Sequence, residues 1–325
     1  MVLVAAAIGG QSLSMTDFDV IVIGGGAAGL SAALVLSRAR RRLLVVDSGM
    51  PRNAPASEMH GFLSRDGFPP SELLELGREE VVGYGGKIVD AAVESVERDG
   101  SSFSVRLDSG LSVSARRLVV ATGLRDELPE IPGLRERWAR DVLHCPYCHG
   151  FEVRDRALGV LGWAPGAATY AQIVRQWSDE VVYFASGARL TATEREELAA
   201  RSVTVVDGTV ERVVIEDDRL RGLELDDGRV IELDALFVPP RFVPNDDLLA
   251  ELGCDLDDDG WAIIDATGRT SVRGIWVAGN LANPRAQVIT AAGEGSAAAI
   301  AVNADLVTDD VAQAVQAAPP PETST

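Results

Sequence analysis

Short continuous apolar runs and one-faced apolar stripes follow each other along this chain, and their order predicts an α/β protein. Asp19 to Ile23 (DVIVI) is a β-branched run of strand length, and GGGAAG follows it directly. Leu30 to Ser37 continues with helical spacing, and RRLLVVD supplies a second buried strand, which completes a βαβ unit. Phe103–Leu107 and Leu111–Val113 flank the turn DSG and predict a hairpin leading into RRLVVATG, a further buried strand. A second, looser βαβ unit begins at Leu158 with LGVLG, a helical stretch from Ala167 to Trp177, and VVYFA. From Val203 to Phe237 short strands alternate with turns such as DDGR. The final third has IWVAGN, again strand then turn, and the small-residue helix VITAAGEGSAAAIAVNADLV.

The last strand and helix resemble the closing segment of the first unit. The expected fold is therefore α/β, with two Rossmann-like (three-layer ββα) dinucleotide-binding domains, the second inserted into the first. The expected boundaries are 15–127 plus 244–318 for the first domain and 128–243 for the second. Residues 1–14 read as a disordered extension, with Met15 an alternative start. The tail QAAPPPETST reads as solvated, with 319–325 disordered.

Composition narrows the function. The 325 residues are 46% hydrophobic and 24% charged, as in a soluble globular protein, and carry a formal net charge of −19. That charge repels phosphate backbones and anionic membranes, so neither nucleic acid nor membrane is an expected partner. No segment approaches the roughly 20 apolar residues of a bilayer span. The opening apolar stretch lacks the basic region of a signal peptide, and three cysteines form no disulfide framework, so a cytoplasmic protein is expected.

Gly24, Gly26 and Gly29 fit G-x-G-x-x-G between a strand and a helix, the arrangement that lets backbone approach a pyrophosphate at a helix N-terminus. Asp47 ends the next strand, where an acid meets ribose hydroxyls, and this favours FAD or NAD over NADP. The basic SRARRR (Arg38, Arg40, Arg41, Arg42) reads as a solvated helix end that complements the helix dipole. In the second unit the corresponding loop is Gly162-Trp163-Ala164-Pro165-Gly166-Ala167. Alanine replaces the second glycine, tryptophan sits inside the turn, and proline removes a phosphate-binding N–H. Arg189 is the only cation near the end of the following strand. Nucleotide chemistry is expected to be weakened here.

The stretch LHCPYCHGFE, Leu143 to Glu152, admits a metal clamp, a structural disulfide or a redox centre. Zinc would need two more ligands from Cys254 and the histidines His60, His144 and His149, so no metal site is expected. A disulfide at this spacing closes too short a loop to contribute much stability. Redox work fits best: Pro146 restrains the loop, a following helix would stabilise a thiolate, and the flanking histidines can exchange protons near neutral pH. Cys254, beside DLDDDG, reads as an inert thiol.

With GGGAAG, VVATG, HCPYCHG and IWVAGN…AQVITAAGEG in this order, the chain from Asp17 to Val307 resembles the low-molecular-weight thioredoxin reductase family. The resemblance implies a homodimer of two-domain subunits, each holding FAD in the first domain. It places Thr122 and Gly123 at the interdomain crossing and Gln287 with Val288 against the flavin. It extends the FAD-contacting set to Ala27, Ala28, Ser48, Asn53, Gly279 and Asn280. It also implies that Cys148 lies nearest the flavin and that Cys145 exchanges with substrate.

Four departures stand out. His149 replaces the acid after the second cysteine, Asn280 replaces the acid of the late glycine–aspartate pair, and Ala286 replaces an arginine. The segment that usually supplies a flavin-contacting asparagine reads SEMHGFLSRDG and places His60 near the flavin. This combination resembles the dithiol-oxidase branch, which makes disulfides in small molecules such as gliotoxin and holomycin.

The function expected is an FAD-dependent dithiol oxidase that closes an intramolecular disulfide in a small natural product, as in antibiotic biosynthesis, with O2 as acceptor and H2O2 as by-product. His149 is the first choice of base and His144 the second, while His60 packs on FAD. The alternatives are an NADPH-dependent thioredoxin-disulfide reductase and a non-catalytic FAD-binding redox sensor.

Overall fold

The apolar run Phe18–Ile23 becomes β1 and is buried along its whole length in the computed structural model, which describes residues 18–318. After it come α1 (Ala27–Arg38), β2 (Leu43–Asp47), α2 (Pro70–Gly83), β3 (Lys87–Asp90), β4 (Val93–Asp99), β5 (Ser102–Leu107) and β6 (Ser112–Val120). Next are β7 (Leu124–Glu127), β8 (Val142–Leu143), α3 (Pro146–His149), β9 (Leu158–Leu161), α4 (Ala167–Val174), β10 (Val181–Phe184) and α5 (Ala192–Ala200). The chain continues through β11 (Val203–Val206), β12 (Val210–Glu216), β13 (Arg219–Leu225), β14 (Val230–Glu232), β15 (Ala235–Phe237) and β16 (Arg241–Pro244). It closes with α6 (Asp247–Glu251), β17 (Ile275–Val277) and α7 (Val288–Ala317). Among the described residues no helix is long and apolar enough to cross a membrane.

The chain divides into two units. The first contains 18–52, Ser71–Leu124 and 244–318, and the second contains Asn53–Pro70 and Arg125–Val243. The expected boundaries put 53–70 in the first domain. Its grouping with the second unit has a local cause, since His60 of this segment sits against Glu152.

In the first unit β3, β2, β1 and β6 form a parallel sheet, and β17 pairs in parallel with the second half of β6 through Ile275↔Leu118 and Val277↔Val120. The first half of β6 pairs antiparallel with β5 in the register Val105↔Val113. The hairpin arm at Leu111–Val113 and the strand in RRLVVATG are thus one strand, bordered by different partners along its length. Alternation sorts β1 between two cores: Val20 and Val22 pack with Ala32, Leu36, Ala298 and Val302 of α1 and α7, whereas Ile21 and Ile23 pack with Phe103, Val105 and Leu118. Helices on one face and a β meander on the other make the ββα layering.

The second unit repeats the plan. Its parallel sheet runs β11-β10-β9-β15-β8, and α4 packs over Val160 and Phe237 on one face. The antiparallel sheet β12-β13-β14 supplies Val213, Leu223 and Leu225 to the other.

Two expectations need correction. Arg41 is no solvated helix end: its side chain is 13% exposed and reaches Asp310 Oδ2 at 2.7 Å and Asn303 Oδ1 at 2.7 Å on α7. Gln316 and Ala317 of the expected tail belong to α7. The expected extension 1–14, Met15 and the tail 319–325 lie outside the described residues.

Candidate active site

The redox stretch leaves the sheet of the second unit at the C-terminal end of β8, where parallel α/β sheets place their ligands. Cys145 is the N-cap of α3, Pro146 occupies its first position, and Cys145 and Cys148 form a disulfide with their Cα atoms 5.1 Å apart. The expected following helix proves to be the four residues of α3. The group that stabilises sulfur is instead local: the Cys148 N–H donates to Cys145 Sγ at 3.1 Å. Gly150 is required for close approach, because a Cβ there would fall 2.4 Å from Pro146 O and 2.7 Å from the Trp177 ring. Tyr147 and Phe151, on either side of Cys148 along the chain, are exposed, and the two cysteines are half-buried.

The three histidines have different settings. Burial holds His149 below the ordinary histidine value, with the nearby Glu152 carboxylate acting against this and the charge of His60 reinforcing it. A neutral imidazole beside the second cysteine is therefore the resting form near pH 7, as a proton acceptor requires. His144 is packed between rings, stacked on Trp138 at 6.1 Å and edge-on to Phe242 at 5.8 Å. Its backbone carbonyl accepts from the phenol of Tyr170, which burial keeps protonated.

His60, expected against the flavin, belongs by its contacts to the second unit. Its Nε2 lies 3.5 Å from Glu152 Oε1 and 3.7 Å from Glu58 Oε2, and its Nδ1 lies 3.5 Å from Asp66 Oδ2. The structure thus brings His60, His149 and Glu152 together. Cys254 lies in the first unit, where burial pushes its thiol up and its nearest polar partner is Thr270 Oγ1 at 3.6 Å.

The first glycine loop fits a dinucleotide. A Cβ on Gly24 would meet Ala121 O at 2.4 Å and one on Gly29 would meet Gly24 O at 1.8 Å, so the turn is closed on itself. At Gly26, the N-cap of α1, a Cβ would meet nothing within 4 Å, which leaves room for a pyrophosphate. The first intrahelical bond runs from Leu30 N to Gly26 O at 2.9 Å, so the N–H groups of Ala27, Ala28 and Gly29 stand at the open helix start. Asp47 ends β2, and its Oδ1 accepts from Gly25 N at 3.1 Å and Gly49 N at 3.3 Å. Arg78 of α2 holds Asp47 Oδ2 at 2.9 Å and also pairs with Asp90. These residues fit a flavin dinucleotide.

The remaining expected contacts are spread over both units. Ser48 is exposed beside Asp47, and Gln287 and Val288 cap and begin α7. Asn53 falls with His60 in the second unit. Thr122 and Gly123 stand just before the crossing at Leu124. There Thr122 Oγ1 donates to Asn245 O at 2.8 Å, and Asn245 Nδ2 returns a bond to Thr122 O at 2.8 Å.

Two of the chain's own rings pack at the start of the second glycine loop. Trp163 packs on the second unit's core, and its Nε1 donates to Pro239 O at 2.8 Å. The Tyr183 hydroxyl presses on the loop closely enough that a Cβ on Gly162 would lie 2.3 Å from it.

Arg78, Glu152, Asn245 and Glu294 were not among the expected site residues. Glu294 had a visible signal, since it is the single charged residue between Val288 and Ala304.

Comparison with known proteins agrees with this arrangement. Residues 18–295 match the pyridine nucleotide-disulphide oxidoreductase family. The crystal structure of HlmI is 57% identical, with a TM-score of 0.91, covering 94% of this chain and 98% of that one. Thioredoxin reductase sirT of Leptosphaeria maculans is 30% identical over 91% of this chain and 96% of its own length. Thioredoxin reductase tcpT of Claviceps purpurea is 31% identical over 81% of this chain and 86% of its own.

Proposed function

The chain belongs to the pyridine nucleotide-disulphide oxidoreductase family, as a thioredoxin reductase-like thiol/disulfide oxidoreductase, and from that premise we propose that it is an FAD-dependent dithiol oxidase acting on a small natural-product dithiol. The observation that carries this reading is the pairing of an intact Cys145–Cys148 disulfide and neutral His149 with a second glycine loop in which Trp163 is tied to Pro239 O and Pro165 offers no N–H.

A substrate thiolate attacks Cys145 Sγ, forming the substrate–Cys145 disulfide and expelling the Cys148 thiolate. The second substrate thiol, giving its proton to His149, attacks the substrate sulfur of that bond and expels Cys145. The substrate thereby loses two electrons and two protons and leaves as a cyclic disulfide, while the cysteine pair gains the electrons. Bound FAD supplies the acceptor that restores the cysteine disulfide, with dioxygen as the terminal oxidant and hydrogen peroxide as product. His149 moves the proton, and Glu152 and His60 set its charge. His144, wedged between two rings, orients the loop.

Ile300, Val307, Val311 and Val315 share one face of α7 and are exposed, Val315 to 69%. Such an apolar stripe supports the homodimer.

The second reading is an NADPH-dependent thioredoxin reductase, favoured by the names of the two fungal relatives. Anaerobic reduction of the purified protein separates the two. A small dithiol bleaches the flavin of an oxidase, and air restores it with peroxide. Bleaching by NADPH within the turnover time would establish the reductase.

A further inference from the structure

The segment joining β17 to α7 is held by side chains whose hydrogen bonds have a fixed polarity. Asn280 Nδ2 lies 3.0 Å from both Asn283 O and Ala286 O and 3.5 Å from Pro284 O. An amide NH2 carries two donors, and the two short bonds use both. Glu294 of α7 closes the segment from the other side, accepting from Gly279 N at 3.0 Å and from Asn283 Nδ2 at 2.7 Å. Gly279 has φ +76°, and a Cβ there would approach Ala28 Cβ to 2.8 Å, so the segment starts pressed against α1. It ends at Ala286, next to Gln287, the N-cap of α7.

A carboxylate at position 280 has no hydrogen to offer. It would aim its lone pairs at carbonyl oxygens and leave those carbonyls unpaired. The acid that the thioredoxin reductase resemblance leads one to expect here is therefore incompatible with this surrounding, whereas a protonated carboxyl restores one donor.

We infer that Asn280 is a positioning residue for the flavin: as a donor, together with Glu294 as acceptor, it shapes 279–287 and so presents Gln287 and Val288 to the cofactor. This rests on the reading of the first unit as the flavin site. The ionisable group on the segment is the exposed Arg285, and from α7 the half-buried Glu294 closes on it; the N280D and N280A variants keep both.

The test is FAD titration of flavin-free wild type, N280D and N280A, followed by flavin fluorescence at about pH 8 and about pH 5.5. N280D should bind about tenfold more weakly at the higher pH and regain most of that loss, relative to wild type, at the lower. N280A should be about tenfold weaker at both. Wild-type affinity in N280D at the higher pH, or a loss with no recovery relative to wild type, would overturn the inference. Should N280D not fold, N280A and E294Q decide: unchanged FAD affinity in both overturns it, and weaker binding with an unaltered circular dichroism spectrum supports it. Failure of the wild-type chain to take up FAD would overturn the flavin reading, and this proposal with it.

Discussion

His60 Nε2 and Glu152 Oε1 stand 3.5 Å apart, joining the SEMHGFLSRDG segment to the residues that follow the cysteine pair. Glu152 comes three residues after His149, so one carboxylate lies near two imidazoles, and His149 feels the charge of both Glu152 and His60.

The acid limb of kcat/KM for dithiol oxidation should follow His149. Burial lowers its pKa, so the neutral base persists below the ordinary histidine value and activity falls only as pH drops through that lowered pKa. H60N removes a positive neighbour and moves the limb to higher pH. E152Q removes a negative neighbour and moves it to lower pH. Limbs that stay fixed in both variants would take the base role away from His149.

H149Q should lower kcat about a hundredfold while leaving the flavin spectrum intact. C148S leaves Cys145 a free thiol, and given the substrate in its cyclic disulfide form it should open that bond and hold the ring-opened substrate as a mixed disulfide, seen as a mass increase equal to the cyclic disulfide, whereas C145S should hold nothing. Adduct on Cys148 in the C145S variant would reverse the assignment of the two sulfurs.

Arg78 gathers Asp47 and Asp90 at the ends of neighbouring strands. Its side chain is 30% exposed, so R78A should cost about 1 kcal/mol of stability and weaken FAD binding about fivefold, with R78K retaining part of both. Thermal melts and FAD titration check this, and an unchanged affinity would separate Arg78 from the ribose site.

A charge in the α7 stripe should split the homodimer. I300E and V311E are expected to shift the protein to half its mass in light scattering, with circular dichroism unchanged. A dimer surviving both changes would place the interface elsewhere.

Features carried by contiguous residues were legible in the sequence, because there residue type dictates backbone shape. Gly24, Gly26 and Gly29 announce a turn that can be closed by backbone, and Cys145-Pro146-Tyr147-Cys148 announces a redox pair of sulfurs. Trp163 and Pro165 announce a second loop that departs from the glycine pattern of the first. Features made by distant residues were not. Arg78 meets Asp47 across 31 positions, and Arg41 meets Asp310 across 269, so the partner is chosen by the sheet order and not by spacing. Leu111–Val113 and RRLVVATG looked like separate strands because β6 changes neighbours halfway, which alters its burial without breaking it. Asn280 read as an altered cofactor contact; only the carbonyls of Asn283 and Ala286 around its amide reveal why nitrogen is needed there.

The pairing of β17 with β6 also sets a timetable. A ribosome delivers Ile275 only after all of Arg125–Val243 has been made, so the second unit has its whole chain while the sheet of the first still lacks a strand and its longest helix. On the ribosome the unit that carries Cys145 and Cys148 is therefore complete in sequence before the sheet of the first unit can close. A chain cut short before Ile275 would keep every residue of the second unit and lose β17 and α7 from the first.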